Sequence, residues 1–119
     1  MEQYVDGYLI PVPADRLDDY RELARKAGAI WREHGALAFW ECVGDDLDAP
    51  GMVSFRAAAA AGPDEVVMFS WIVFASRADR DRINAAVMAD PRIQAMPPED
   101  MPFDCQRMAF GGFIPIVVG

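Results

Sequence analysis

At 119 residues the chain has room for one domain, residues 1–119, and not for two, since independent cores need on the order of 100 residues each. Hydrophobic residues make up 53% and charged residues 25%, with three Trp, three Tyr and seven Phe, which excludes global disorder. A net charge of −8 and a pI near 4.4 repel phosphate backbones and anionic headgroups, so no nucleic acid and no membrane is expected as a partner.

Met1-Glu2-Gln3-Tyr4 lacks a basic flank, and Asp6 interrupts the apolar run that follows. No signal peptide is expected, and a cytoplasmic location is. Tyr4 to Val12 is rich in Tyr, Val, Leu and Ile and ends at Pro11-Val12-Pro13, which predicts a first strand stopped by prolines. From Pro13 the period changes. Leu17, Tyr20, Leu23, Ala24, Ala27, Ile30 and Trp31 recur at three- and four-residue steps, the stripe of an amphipathic helix capped by Gly35. Glu22 and Lys26 form an i,i+4 pair on its wet face.

Leu37 to Val43 reads as a second strand, and Gly44 to Gly51 has the turn formers of a surface loop. The strand is expected to resume briefly at Met52 to Phe55. The run Ala57 to Ala61 suits either a helical turn or a mobile loop. Glu65 to Phe74 is the most β-like segment of the chain, and Ser76 with Asp79 resembles a capping box opening a second helix to about Met88. Asp90-Pro91 starts a short helical turn, the proline-rich Met96 to Pro102 is an irregular connection, and a last strand is expected over Gln106 to Val117 with a bulge or twist at Gly111-Gly112.

The order βαββαβ is that of an α+β ferredoxin-like fold, with an antiparallel sheet in the order 4-1-3-2 and both helices on one face. In the third strand Val67, Phe69, Trp71 and Val73 face one way while Val66, Met68, Ile72 and Phe74 face the other, so both faces need cover. Two helices cover one. A second copy of the chain, stacked sheet on sheet into a closed barrel, is the expected cover for the other.

Tyr4-Val5-Asp6-Gly7-Tyr8, Phe69-Ser70-Trp71-Ile72 and Met88-Ala89-Asp90-Pro91-Arg92 resemble the small bacterial proteins grouped as the DUF1428 family. So do Met101-Pro102-Phe103-Asp104-Cys105-Gln106-Arg107-Met108 and Gly111-Gly112-Phe113. The resemblance spans nearly the whole chain and implies a dimeric α/β-barrel fold and a homodimer. It brings no activity and hence no catalytic residues. The Ala57 to Ala61 run departs from the more charged segment expected in relatives.

The polar residues that interrupt apolar strands are the candidates for chemistry. Glu41 lies between Phe39 and Val43 on one strand face, where burial raises a carboxyl pKa and suits it to general acid-base work. The structural alternative is an edge-strand Glu that reaches solvent or pairs with Arg107 across a dimer. Asp6 shares a face with Tyr4 and Tyr8 and is expected near Ser70 or Trp71, either in a polar cavity cluster or as a single buried carboxylate satisfied by backbone amides or a tyrosine hydroxyl. His34, the sole histidine, suits a helix C-terminus.

Asp46-x-Asp48-x-Pro50 lacks the ligands of a calcium loop, Gly111-Gly112 has no helix to hold a phosphate, and Cys42 and Cys105 form no C-x-x-C pair. No metal and no cofactor is expected. The sheet order separates the two cysteine strands by about 14 Å, too far for an intrachain disulfide. Two functional readings follow. One is a homodimer binding a small, mostly apolar ligand in a barrel cavity lined by Asp6, Glu41, Phe69, Ser70, Trp71 and Arg107. The other is a non-catalytic protein-interaction or ligand-sensing module.

Overall fold

The computed structural model describes residues 2–97 and 101–119. Pro98 to Asp100, the middle of the proline-rich connection, lie outside the described residues. The elements are β1 (Tyr4–Pro13), α1 (Leu17–His34), β2 (Ala38–Val43), α2 (Phe55–Ala58), β3 (Glu65–Phe74), α3 (Arg77–Met88), α4 (Pro91–Gln94) and β4 (Ala109–Phe113). The sheet is antiparallel in the order β2-β3-β1-β4, which is 4-1-3-2 read from the other edge.

β1 and β3 form the centre, paired over their full length from Tyr4 opposite Phe74 to Pro13 opposite Glu65. Pro11 and Pro13 lie beyond Leu9, the last residue of β1 opposite β4, where one strand neighbour suffices and a missing donor is tolerated. α1 ends where expected: Gly35 takes φ 119°, a conformation that a side chain would strain. The Ser76 hydroxyl accepts from the Asp79 amide at 3.0 Å and starts α3.

Two boundaries depart from the sequence expectation, and one open alternative is decided. Met52 to Phe55 do not extend β2, because the Ser54 hydroxyl accepts from the Arg56 amide and opens α2 instead. The alanine run is a helical turn that ends with Ala60 at φ 53°. The last strand is only five residues long. At its start the Asp104 carboxylate takes the Gln106 amide into a turn. Beyond Phe113, opposite Val5, β1 runs out, and Pro115 has no donor to extend a ladder.

Tyr4, Asp6, Tyr8, Ile10 and Val12 of β1 face α1 and α3 together with Met68, Ser70, Ile72 and Phe74 of β3, and the apolar part of this layer falls into two clusters. One holds Tyr4, Ile30, Ile72, Phe74, Ile83 and Val87; the other holds Ile10, Val12, Tyr20, Ala24 and Met68. Tyr8 touches both. Each fully buried large side chain contributes about 2 kcal/mol, so two half-cores suffice for a small domain. The gap between them is the cavity described below. On the opposite face α2 covers one corner, with Phe55 against Phe69 at 5.8 Å, and Trp40, Phe69 and Phe113 remain 57%, 46% and 60% exposed.

Candidate functional site

The cavity measures about 450 Å³, within the range of small-molecule sites. Its floor is Tyr8, Ile10, Phe39, Glu41, Ser70 and Ile72 of the sheet, and its roof is Tyr20, Leu23, Ala24, Ala27 and Trp31 of α1. Met88, Ile93, Met96, Met101, Phe103, Cys105 and Met108 close the side, with Met88 and Cys105 exposed at the rim. A sealed void of this size would cost on the order of 10 kcal/mol, as much as the whole stability of a domain. An opening to solvent relieves that cost.

Strand register sets the polar groups in a row. Glu41 stands opposite Ser70, and Ser70 opposite Tyr8, so carboxylate and hydroxyls cross the floor from β2 to β1. From above, the Tyr20 hydroxyl donates to Glu41 Oε1 at 2.7 Å, and Ser70, opposite Glu41 across the strands, favours the ionised carboxylate as well. Burial pushes the Glu41 carboxyl above its ordinary value despite the Tyr20 donor and the Ser70 hydroxyl nearby. The Tyr8 and Tyr20 phenols are also pushed up, by burial first and by the charge of Glu41 next among shared causes, so both stay neutral. Among the described lining residues Glu41 is the sole carboxylate, and none is Lys, Arg or His.

Asp6 lies one register step away, opposite Ile72, and is fully buried. Its Oδ2 accepts from Asn84 Nδ2 at 3.0 Å, and Asn84 Oδ1 accepts from Trp31 Nε1 at 2.9 Å. Arg80 Nε stands 3.3 Å from Asp6 Oδ1 as an ion pair without a hydrogen bond. The same guanidinium lies over the Tyr4 ring, 4.8 Å from its centroid. Gly112 permits this, since a Cβ there would sit 2.6 Å from Arg80 Nη2. Burial outweighs Asn84 and Arg80 and raises the Asp6 carboxyl. This network stands behind the cavity and reaches its wall by hydrogen bonds through Asn84 to Trp31.

The six residues expected to share one cavity therefore divide. Glu41 and Ser70 line it. Asp6 belongs to the network beneath, held by Asn84 and Arg80 in place of the expected backbone amides or tyrosine. Phe69 and Trp71 point to the opposite face, because side chains alternate along β3. Arg107 lies outside, bound to both Glu65 oxygens at 2.7 and 2.8 Å, so it is no partner for Glu41 within the chain. The cavity, moreover, lies between the sheet and α1, on the face away from any sheet-on-sheet contact.

Tyr20, Tyr8, Trp31 and Asn84 were not singled out by sequence reasoning. A tyrosine inside the apolar stripe of α1 was the available signal, since a buried phenol needs a hydrogen-bond partner. His34 Nε2 bonds Asp90 Oδ2 at 2.9 Å and ties α1 to α4. Both cysteines are free, and no group of three or more His, Cys, Asp or Glu is placed to hold a metal among the described residues. No helix among them is long and apolar enough to cross a membrane.

Comparison with known proteins agrees with this picture at the level of family and fold. A family model described as "Protein of unknown function (DUF1428)" matches residues 3–105. The chain is 44% identical over 115 residues to the uncharacterized protein YbaA of Escherichia coli K12, covering 97% of each chain, and equally to YbaA of Shigella flexneri. Among solved structures it is similar to a NIPSNAP domain protein from Burkholderia xenovorans, with TM-score 0.58, 13% identity, and coverage of 94% of this chain and 93% of that one. A nipsnap family protein of unknown function from Agrobacterium tumefaciens gives TM-score 0.58 and 15% identity, covering 95% and 87%.

Proposed function

The chain belongs to the DUF1428 family, and from that premise we propose that it is a one-domain, cytoplasmic homodimer in which each subunit binds a small, mostly apolar molecule between its sheet and α1. The observation that carries this reading is the cavity: about 450 Å³ of largely apolar wall, with one desolvated carboxyl at its floor that accepts a hydrogen bond from Tyr20. An interaction module without a ligand would fill that space with side chains.

The bare face of the sheet supports the dimer. Trp40 and Trp71 stack there at 5.6 Å with Phe69 beside them, and beyond β4 the tail exposes Ile114, Ile116, Val117 and Val118. Such a surface on a free monomer is an aggregation hazard. The same self-complementary patch on two copies removes it from water. Free thiols at Cys42 and Cys105 suit a reducing compartment.

Native mass spectrometry of freshly purified protein tests the reading. The expected spectrum is a dimer carrying one small molecule per subunit, and Glu41→Gln keeps the dimer while losing most of the extra mass. An empty wild-type protein, or a variant that retains the molecule in full, overturns the assignment of the site.

A further inference from the structure

We infer that the molecule bound in this cavity is a hydrophobic amine, its ammonium group held by Glu41 and its apolar body lying against the aromatic and methionine walls. The inference rests on the proposed binding function and narrows it to one ligand chemistry.

The first argument is charge. An anionic ligand would meet Glu41 and, among the described lining residues, no Lys, Arg or His to offset the repulsion. The chain's net charge of −8 adds a field that draws cations toward the surface and turns anions away.

The second argument is donor and acceptor accounting. A carboxylate has about four lone-pair sites. Tyr20 occupies one as a donor, Ser70 stands opposite across the strands, and no cation faces Glu41 within hydrogen-bond range among the described residues. What remains is acceptor capacity on a desolvated anion, which an alcohol satisfies poorly and an ammonium group, with donors only and a full charge, satisfies well. The Ser70 and Tyr8 oxygens, in register beside Glu41, are additional acceptors for the remaining N–H groups.

The third argument is the wall. Tyr8, Tyr20, Trp31, Phe39 and Phe103 bring aromatic surface around the carboxylate, and the faces of such rings attract cations that have lost water. Four methionines along the side supply flexible thioethers that adapt to an irregular hydrocarbon body. Arg80 is engaged with Asp6, Tyr4 and Asp81 and does not line the cavity, and Arg21 and Arg25, which line a neighbouring depression that shares Glu41, are paired with Asp18 and Glu22.

Three probes with one body and different heads test the inference: phenethylamine, phenethyl alcohol and phenylacetate, titrated calorimetrically into the dimer at neutral pH and low salt. Phenethylamine is expected to bind at least about tenfold more tightly than the alcohol, the margin of one charge-assisted hydrogen bond, and phenylacetate not detectably. In Glu41→Gln the amine falls to the affinity of the alcohol while alcohol binding persists. A second readout needs no variant: the Glu41 side-chain carboxyl resonance of the wild type shifts on adding the amine and not the alcohol. If alcohol or phenylacetate matches the amine, or the amine preference survives in Glu41→Gln, the amine inference fails and the cavity reading stands. If none of the three binds the wild type, both fail.

Discussion

The two faces of the sheet are built from the same strands and differ in almost every physical respect. Facing the helices, Asp6, Glu41 and Ser70 sit among large apolar residues, and their polar atoms are matched by Asn84, Arg80 and Tyr20 or open on the cavity. Facing away, Trp40, Phe69, Trp71 and Phe113 present rings with no carboxylate among them. A buried polar group is stable only when partnered, so polarity on the covered face needs specific neighbours. An uncovered apolar face needs only another surface. Under the proposed function, ligand binding and assembly fall on opposite sides of one sheet.

The largest effect is expected on the bare face. Trp71→Asp puts a charge under the Trp40 ring and should raise the dimer dissociation constant about a hundredfold, the scale of an aromatic hot spot worth about 3 kcal/mol. Light scattering at micromolar concentration would then report a monomer. A variant that remains dimeric removes this face as the interface.

On the covered face the two carboxylates separate by role. Asp6→Ala removes the buried partner of Arg80, leaving it the exposed Asp81, and should cost about 3 kcal/mol in urea unfolding, the lower end for a broken buried pair because Arg80 keeps some exposure and a second carboxylate. Glu41→Gln, whose neighbours are hydroxyls able to bond an amide, should change stability by less than about 1 kcal/mol. Equal costs would erase the distinction between a structural network and a site.

pH sharpens the same contrast. The folded-state value of Glu41 is raised, so its contribution to stability is fully present below its ordinary 4.5 and is lost as pH rises through the folded value. Relative to wild type, Glu41→Gln therefore gains stability as pH rises through that window. Glu65 runs the other way: Arg107 and the Gly62 amide lower it to about 2, so its contribution is present above 4.5 and lost as pH falls toward 2. Arg107→Ala should move acid unfolding to higher pH and leave dimer and ligand unchanged, the smallest effect of the set.

Much of this fold is legible in the sequence because local signals agree with the tertiary answer. The stripe of α1, its Gly35 cap and the full extent of β3 follow from periodicity and propensity alone. Boundaries failed where a single side chain competed with the ladder, as Ser54 and Asp104 do, or where a partner strand ended, as at Phe113. For the site, alternation identified Glu41 and Ser70 but could not say which sheet face carried the cavity. Phe69 and Trp71 were therefore grouped with residues on the opposite side. Tyr20 and Asn84 come from helices whose rotation against the sheet is a packing outcome, and no spacing along the strands encodes it.

The claim on which the functional account rests is that Glu41 is a desolvated carboxyl in an apolar cavity, and its titration reads this directly. Followed by NMR of its side-chain carboxyl carbon in ligand-free protein, Glu41 should titrate above the ordinary 4.5. A midpoint at or below that value would mean a solvated or cation-paired carboxylate, and would contradict the account.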